Sequence, residues 1–152
     1  MRVHLATDHA GLELKNLLAD RLHEAGHQVI DHGAHTLDPE DDYPRWIIPG
    51  AEAVAADPGS LGIVIGGSGN GEQMAANKVR GIRAALAYDT TTASLARQHN
   101  DANVLSLGAR MQDPEQHWEI VRTFLDTPFS EGERHIRRIG EVTAYEQEHW
   151  QG

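Results

Sequence analysis

Glu72 closes the run Ile63-Val64-Ile65-Gly66-Gly67-Ser68-Gly69-Asn70-Gly71-Glu72, and its place there calls for a chemical explanation. Three β-branched residues predict a buried strand. Four glycines within six residues predict a tight loop, and the helix-forming run through Lys78 predicts a helix start. Such an arrangement aims backbone N–H groups at an anion. A carboxylate at the mouth of that loop would repel a phosphate. It suits another task, taking a proton from a carbon whose neighbouring oxygen turns negative and is held by the loop. Ser68 adds a hydroxyl donor. The common nucleotide loops do not match: Glu72-Gln73 stand where a Walker loop needs Lys and Ser/Thr, and Gly67-x-Gly69-x-Gly71 is not G-x-G-x-x-G. The serine also lacks the spacing of a hydrolase elbow. The plain alternatives are a turn that needs positive φ and a first-turn acid favoured by the helix dipole.

Asp8-His9, after the strand-like Val3–Thr7, is either a turn with a helix cap or a pair of ligand contacts. Arg134 and Arg138 are four apart on a helical segment, so both guanidinium forks face one side and suit a dianionic phosphate; Arg137 lies between them. Ion pairs to Glu131, Glu133 or Glu141 are the competing reading. His99-Asn100 end a helix that precedes a strand. His23-Glu24-Ala25-Gly26-His27 spells H-E-x-x-H, but Gly26 reads as the helix stop and puts His27 outside, so no metal site is expected. His32 and His35 read as surface residues.

The elements that must position these groups alternate in type. Strands are predicted at Val3–Thr7, Gln28–His32, Ile63–Ile65, Gly81–Leu86 and Ala102–Leu107. A helix after Gly11 carries Leu14, Leu17, Leu18, Leu22 and Ala25 on one face. A second runs from Tyr43 to about Ala56, capped by Asp41 or Asp42 and kinked or broken at Pro49-Gly50. Asp89 or Thr90 opens a helix to about His99, and Pro114 starts one through Leu125. The tail from Glu131 to Trp150 is a charged helix with Ile136 and Ile139 as its apolar positions. This alternation predicts a single α/β domain over residues 1–152, a three-layer Rossmann-like fold with a five-stranded parallel sheet and a C-terminal helix. A flavodoxin-like strand order, 2-1-3-4-5, puts the switch point between strands 1 and 3, where Asp8-His9 and the glycine loop converge. His99 then lies at the opposite edge and reaches that crevice only from another subunit.

The 152 residues carry 13 Lys and Arg against 23 Asp and Glu, a net charge of −10, which argues against non-specific nucleic-acid or anionic-membrane binding. There is no cysteine, hence no disulfide and no thiolate nucleophile. With no signal peptide and no long apolar stretch recognised, a soluble cytoplasmic protein is expected.

Together, Asp8-His9-Ala10-Gly11, the glycine loop with Glu72 and Ala75-Ala76-Asn77-Lys78, Gly81-Ile82-Arg83-Ala84, and His99-Asn100-Asp101-Ala102-Asn103 through Arg110 closely resemble ribose-5-phosphate isomerase B. The resemblance covers nearly the whole chain. It implies metal-independent, cofactor-free interconversion of D-ribose 5-phosphate and D-ribulose 5-phosphate in the pentose phosphate pathway, through a cis-enediolate, by homodimers or dimers of dimers with shared active sites. Many members carry a cysteine base where this chain has Gly66. A glutamate-base subgroup, well known among actinobacterial members, uses the position of Glu72. Carried over, Glu72 is the base between C1 and C2, and His99 is the acid that opens the furanose. Gly67, Ser68, Gly69, Asn70 and Gly71 form the cradle for the enediolate oxygens, with the Glu72 amide. Asp8 and Asn100 contact the sugar, His9 the phosphate, and Arg110, Arg134 and Arg138 hydroxyls or phosphate. A hexose-6-phosphate isomerase acting on allose or galactose 6-phosphate, and a sugar-phosphate-binding module without chemistry, are the alternatives.

Overall fold

The structure, a computed structural model, describes residues 1–150. Its elements are β1 (Arg2–Thr7), a 3-10 turn (His9–Gly11), α1 (Leu12–Glu24), β2 (Gln28–Asp31), α2 (Pro44–Ala55), β3 (Leu61–Gly66), α3 (Asn70–Ala76), β4 (Ala84–Leu86), α4 (Thr90–Asn100), β5 (Val104–Gly108), α5 (Pro114–Asp126) and α6 (Glu133–His149). All strand pairs are parallel. Strands β1, β3 and β5 are apolar on both faces because helices cover both. On one side Leu14, Leu18 and Leu22 of α1 and Ile120 and Phe124 of α5 meet Leu5, Ile63 and Leu105. On the other, Ile47, Ala51 and Val54 of α2 meet Ala6 and Val64.

The three-layer parallel sheet is as the sequence predicts, with one difference. The order is β2-β1-β3-β5-β4, so the last two strands are exchanged relative to 2-1-3-4-5. The reason lies in the strands. All five residues of β5 are buried, whereas β4 has three residues and only Ala84 is buried. A short strand suits a sheet edge, and a fully buried one belongs beside the centre. The switch point between β1 and β3 is unaffected.

Two other expectations change. Pro49 sits inside α2 without breaking it, and beside it a Cβ on Gly50 would lie 2.8 Å from the Ala6 Cβ, so the helix packs close to the sheet there. Neither Asp41 nor Asp42 caps α2; Tyr43 takes the cap position with no side-chain hydrogen bond. Gly26 does stop α1, at φ +91°, and His27 lies beyond it, so H-E-x-x-H does not share one helix.

A buried cation fixes the first site loop. The Lys15 ammonium, fully buried on α1, donates to both Asp31 oxygens at 2.6 and 2.8 Å and to the Ala34 carbonyl at 2.7 Å. Gly33 and Ala34 in turn exchange backbone hydrogen bonds with Thr7, each at 2.7 Å. Removing one partner of such a pair costs about 3–5 kcal/mol. The segment after β2 is thereby held against the end of β1, where Asp8 begins.

Candidate active site

The carboxyl ends of β1, β3 and β5 open into a cleft of about 430 Å³ lined by Asp8, His9, Tyr43, Ser68, Glu72 and Arg110, among others. β1 delivers Asp8. Thr7 anchors that strand end by donating its hydroxyl to the Ile65 carbonyl at 2.9 Å. Asp8 is buried and its carboxylate accepts the Ala10 amide at 2.9 Å.

His9 is set by a residue that sequence reasoning missed. Asp41 accepts the His9 amide at 3.0 Å, bonds its Nδ1 at 2.7 Å and accepts Trp46 Nε1 at 3.1 Å. The hydrogen bond to Asp41 raises the His9 pKa against the effect of burial; Asp8 adds to the rise and Arg110 opposes it. Burial alone would raise Asp41, yet the His9 ring, the His9 amide and Trp46 together hold it below the usual carboxylate range. Ligand atoms of Asp8, His9 and Asp41 lie within 4.8 Å of one another, a spacing that would also admit a cation. His9 and Asp41 already satisfy each other, and Asp8 is engaged by Ala10.

The glycine loop runs from the end of β3 into α3. Gly69 has φ +87°, and a Cβ there would sit 3.0 Å from the Leu107 backbone, so both conformation and space demand glycine. Its carbonyl accepts the buried Ser106 hydroxyl at 2.8 Å, which ties the loop to β5. Ser68 Oγ accepts the Asn70 amide at 3.3 Å. Arg110 lies across the loop, with its Nη1 2.9 Å from where a Cβ on Gly67 would stand. Tyr43, read from sequence only as a helix start, packs its phenol ring against Gly71.

Glu72, in the first turn of α3, is only 5 % exposed. Its carboxylate occupies the space a side chain at position 66 would take: a Cβ on Gly66 would overlap it. Glycine at the strand end and glutamate in the helix are therefore one arrangement. Burial is the main cause of a raised Glu72 pKa and the Asp8 charge adds to it; the amides of Glu72 and Gly69 act the other way. The result is a carboxylate of heightened basicity beside a loop of backbone donors.

The remaining predicted residues are elsewhere. His99 and Asn100 end α4, at the amino edge of the sheet, and Arg134 and Arg138 are on α6. Gly66 pairs with Gly108 at one end of β5 and Gly62 with Val104 at the other, so four residue steps of strand separate the two groups by about 13 Å at ~3.3 Å per residue. His99 stacks on His135, with centroids 4.4 Å apart and planes 13° apart. Asn100 and Arg138 line a groove of about 560 Å³ with Arg83, Ile139, Val142 and Tyr145. Among the described residues no carboxylate pairs with Arg134, Arg137 or Arg138, so the competing ion-pair reading does not hold. No described helix is long and apolar enough to cross a membrane.

Known proteins share this architecture. A ribose-5-phosphate isomerase B of Mycobacterium tuberculosis is 52 % identical over 149 residues, covering 98 % of this chain and 92 % of its own. The structure of ribose-5-phosphate isomerase B from Mycoplasma genitalium with bound ribulose-5-phosphate superposes with a TM-score of 0.93 at 42 % identity, covering 97 % of both chains. A type B ribose 5-phosphate isomerase from Trypanosoma cruzi gives 0.93 at 42 % identity over 98 % of this chain and all of its own. A family model described as Ribose/Galactose Isomerase matches residues 3–142, and the chain belongs to that family.

Proposed function

We propose that the chain is a single catalytic domain, residues 1–152, that interconverts D-ribose 5-phosphate and D-ribulose 5-phosphate in the cytoplasm. Supporting this reading, a relative 52 % identical carries that activity in its name. The observation that carries the mechanism is the buried Glu72 carboxylate beside the glycine loop. Moving hydrogen between C1 and C2 needs a base at the carbon and donors at the two oxygens that share the developing charge. Glu72 takes the proton from C2 of the opened aldose and returns it to C1, while the O2 proton passes to O1 within the enediolate. Ser68 and the amides of Gly69, Asn70, Gly71 and Glu72 hold the cis-enediolate oxygens. Asp8 orients a sugar hydroxyl. The distant phosphate, held by cationic His9 and arginines, aligns the reacting carbon with the base.

The furanose must first open, and a second copy supplies the acid. His99, Asn100, Arg134 and Arg138 lie too far from Glu72 to serve the same molecule of substrate within one chain. They enter the cleft of the partner in a homodimer. The apolar side chains Ile136, Val142 and Tyr145, exposed on α6, suit burial in that contact.

Glu72→Gln preserves shape and removes the base. Turnover of ribose 5-phosphate is expected to fall about 10²–10⁴-fold, with binding retained. Wild type is expected to incorporate solvent deuterium at C2, and the variant is not. Near-normal turnover in the variant would remove Glu72 from the mechanism, and no exchange in wild type would leave only a binding protein.

A further inference from the structure

His135 is 9 % exposed on a helix whose neighbouring residues Arg134, Ile136, Arg137 and Arg138 face solvent. Its ring lies flat against His99 across the α4–α6 contact. Its Nε2 receives Arg134 Nε at 3.4 Å, which assigns the lone pair to Nε2 and the proton to Nδ1. So little of the ring is exposed that it acts through its neighbours. We propose that His135 is a positioning residue that fixes the ring plane of His99 and the guanidinium of Arg134. The proposal rests on the reading of His99 as the ring-opening acid and Arg134 as a phosphate ligand.

Charge sharpens the role. Three basic groups face His135: His99 from α4, and Arg134 and Arg138 from its own helix. Burial first, then these three, lower its pKa. His135 therefore presents an uncharged ring face to His99, the ring from which a proton must pass to the furanose oxygen.

Two variants of the full-length chain test this. Ribose 5-phosphate must open its ring; ribulose 5-phosphate is acyclic, because its C5 oxygen carries the phosphate. His135→Ala is expected to lose about tenfold in kcat on ribose 5-phosphate. At saturating ribulose 5-phosphate, where a weakened Arg134 contact is offset by concentration, solvent deuterium exchange into C1 needs no ring opening and is expected to stay within about twofold of wild type. His135→Phe keeps a flat ring under His99 and is expected to hold kcat while KM rises severalfold, because Arg134 loses its acceptor. Equal losses in both assays for His135→Ala, or unchanged kinetics in both variants, overturn the proposal. His99→Asn, run alongside, separates the two layers. If it leaves ribose 5-phosphate turnover intact, the reading of His99 fails. If it shows the selective loss and His135→Ala does not, only the positioning role fails.

Discussion

The two edges of the sheet solve different problems. At the carboxyl edge, Asp8, Asp41 and Glu72 crowd around His9 and Arg110, and Asp8, His9 and Asp41 each have an internal partner. Burial there raises a carboxylate and hydrogen bonding raises a histidine. At the amino edge, Arg134 and Arg138 have no carboxylate partner among the described residues, they share α6 with the His135 that stacks on the half-buried His99, and apolar side chains of α6 stay exposed. One edge holds a buried carboxylate of raised pKa beside a glycine loop, and the other holds arginines beside a histidine. On the proposed function, a fold that separates these by a strand length makes assembly part of the chemistry.

The sharpest way to break the carboxyl edge is Gly66→Ala. A single methyl displaces the Glu72 carboxylate, so turnover is expected to fall at least about a hundredfold while the fold survives, read by steady-state rate and circular dichroism. Unimpaired turnover would mean that Glu72 acts from a different rotamer.

Asp41→Asn probes how that edge holds its cation. His9 has a raised pKa, so the cation is fully present below its unfolded value and is lost as pH rises through the raised folded value. Glu72 has the opposite functional sign: as a base it works only above its raised pKa. The pH profile is therefore expected to be bell-shaped, with Glu72 on the acid limb and His9 on the alkaline limb. Asp41→Asn is expected to move the alkaline limb to lower pH and raise KM about threefold to tenfold, with kcat little changed. An unmoved alkaline limb would detach His9 from phosphate binding. The smallest effect is expected from chelation. Dialysis against a chelator is expected to leave activity unchanged, and a loss restored by a divalent ion would reassign Asp8, His9 and Asp41 as ligands.

The carboxyl edge was the more legible of the two from sequence, because glycine and strand signals are local. Ile63–Ile65 and the four glycines mark both strand and loop. Partners far apart in sequence were not legible. Nothing near Asp41 announces that it turns to His9, 32 residues away, rather than capping α2. Both β4 and β5 read as short apolar strands, and only packing decides which takes the edge. On α6, Ile136 looks like the buried position, yet it is 53 % exposed and the adjacent His135 is buried against His99. A buried histidine within a charged run carries no periodic signal. On the proposed function the exposed isoleucine belongs to the contact with a second chain, which one sequence does not display.

Complementation between two inactive variants tests the division of labour most directly. Glu72→Gln and His99→Asn chains are unfolded together, refolded and assayed on ribose 5-phosphate. If each site takes Glu72 from one chain and His99 from the other, a mixed dimer contains one doubly damaged site and one intact site. Random reassortment into two-fold dimers is then expected to restore about a quarter of wild-type activity. If both residues served the same chain's site, every site in the mixture would keep one lesion. Activity no higher than that of the separate variants would contradict the shared site.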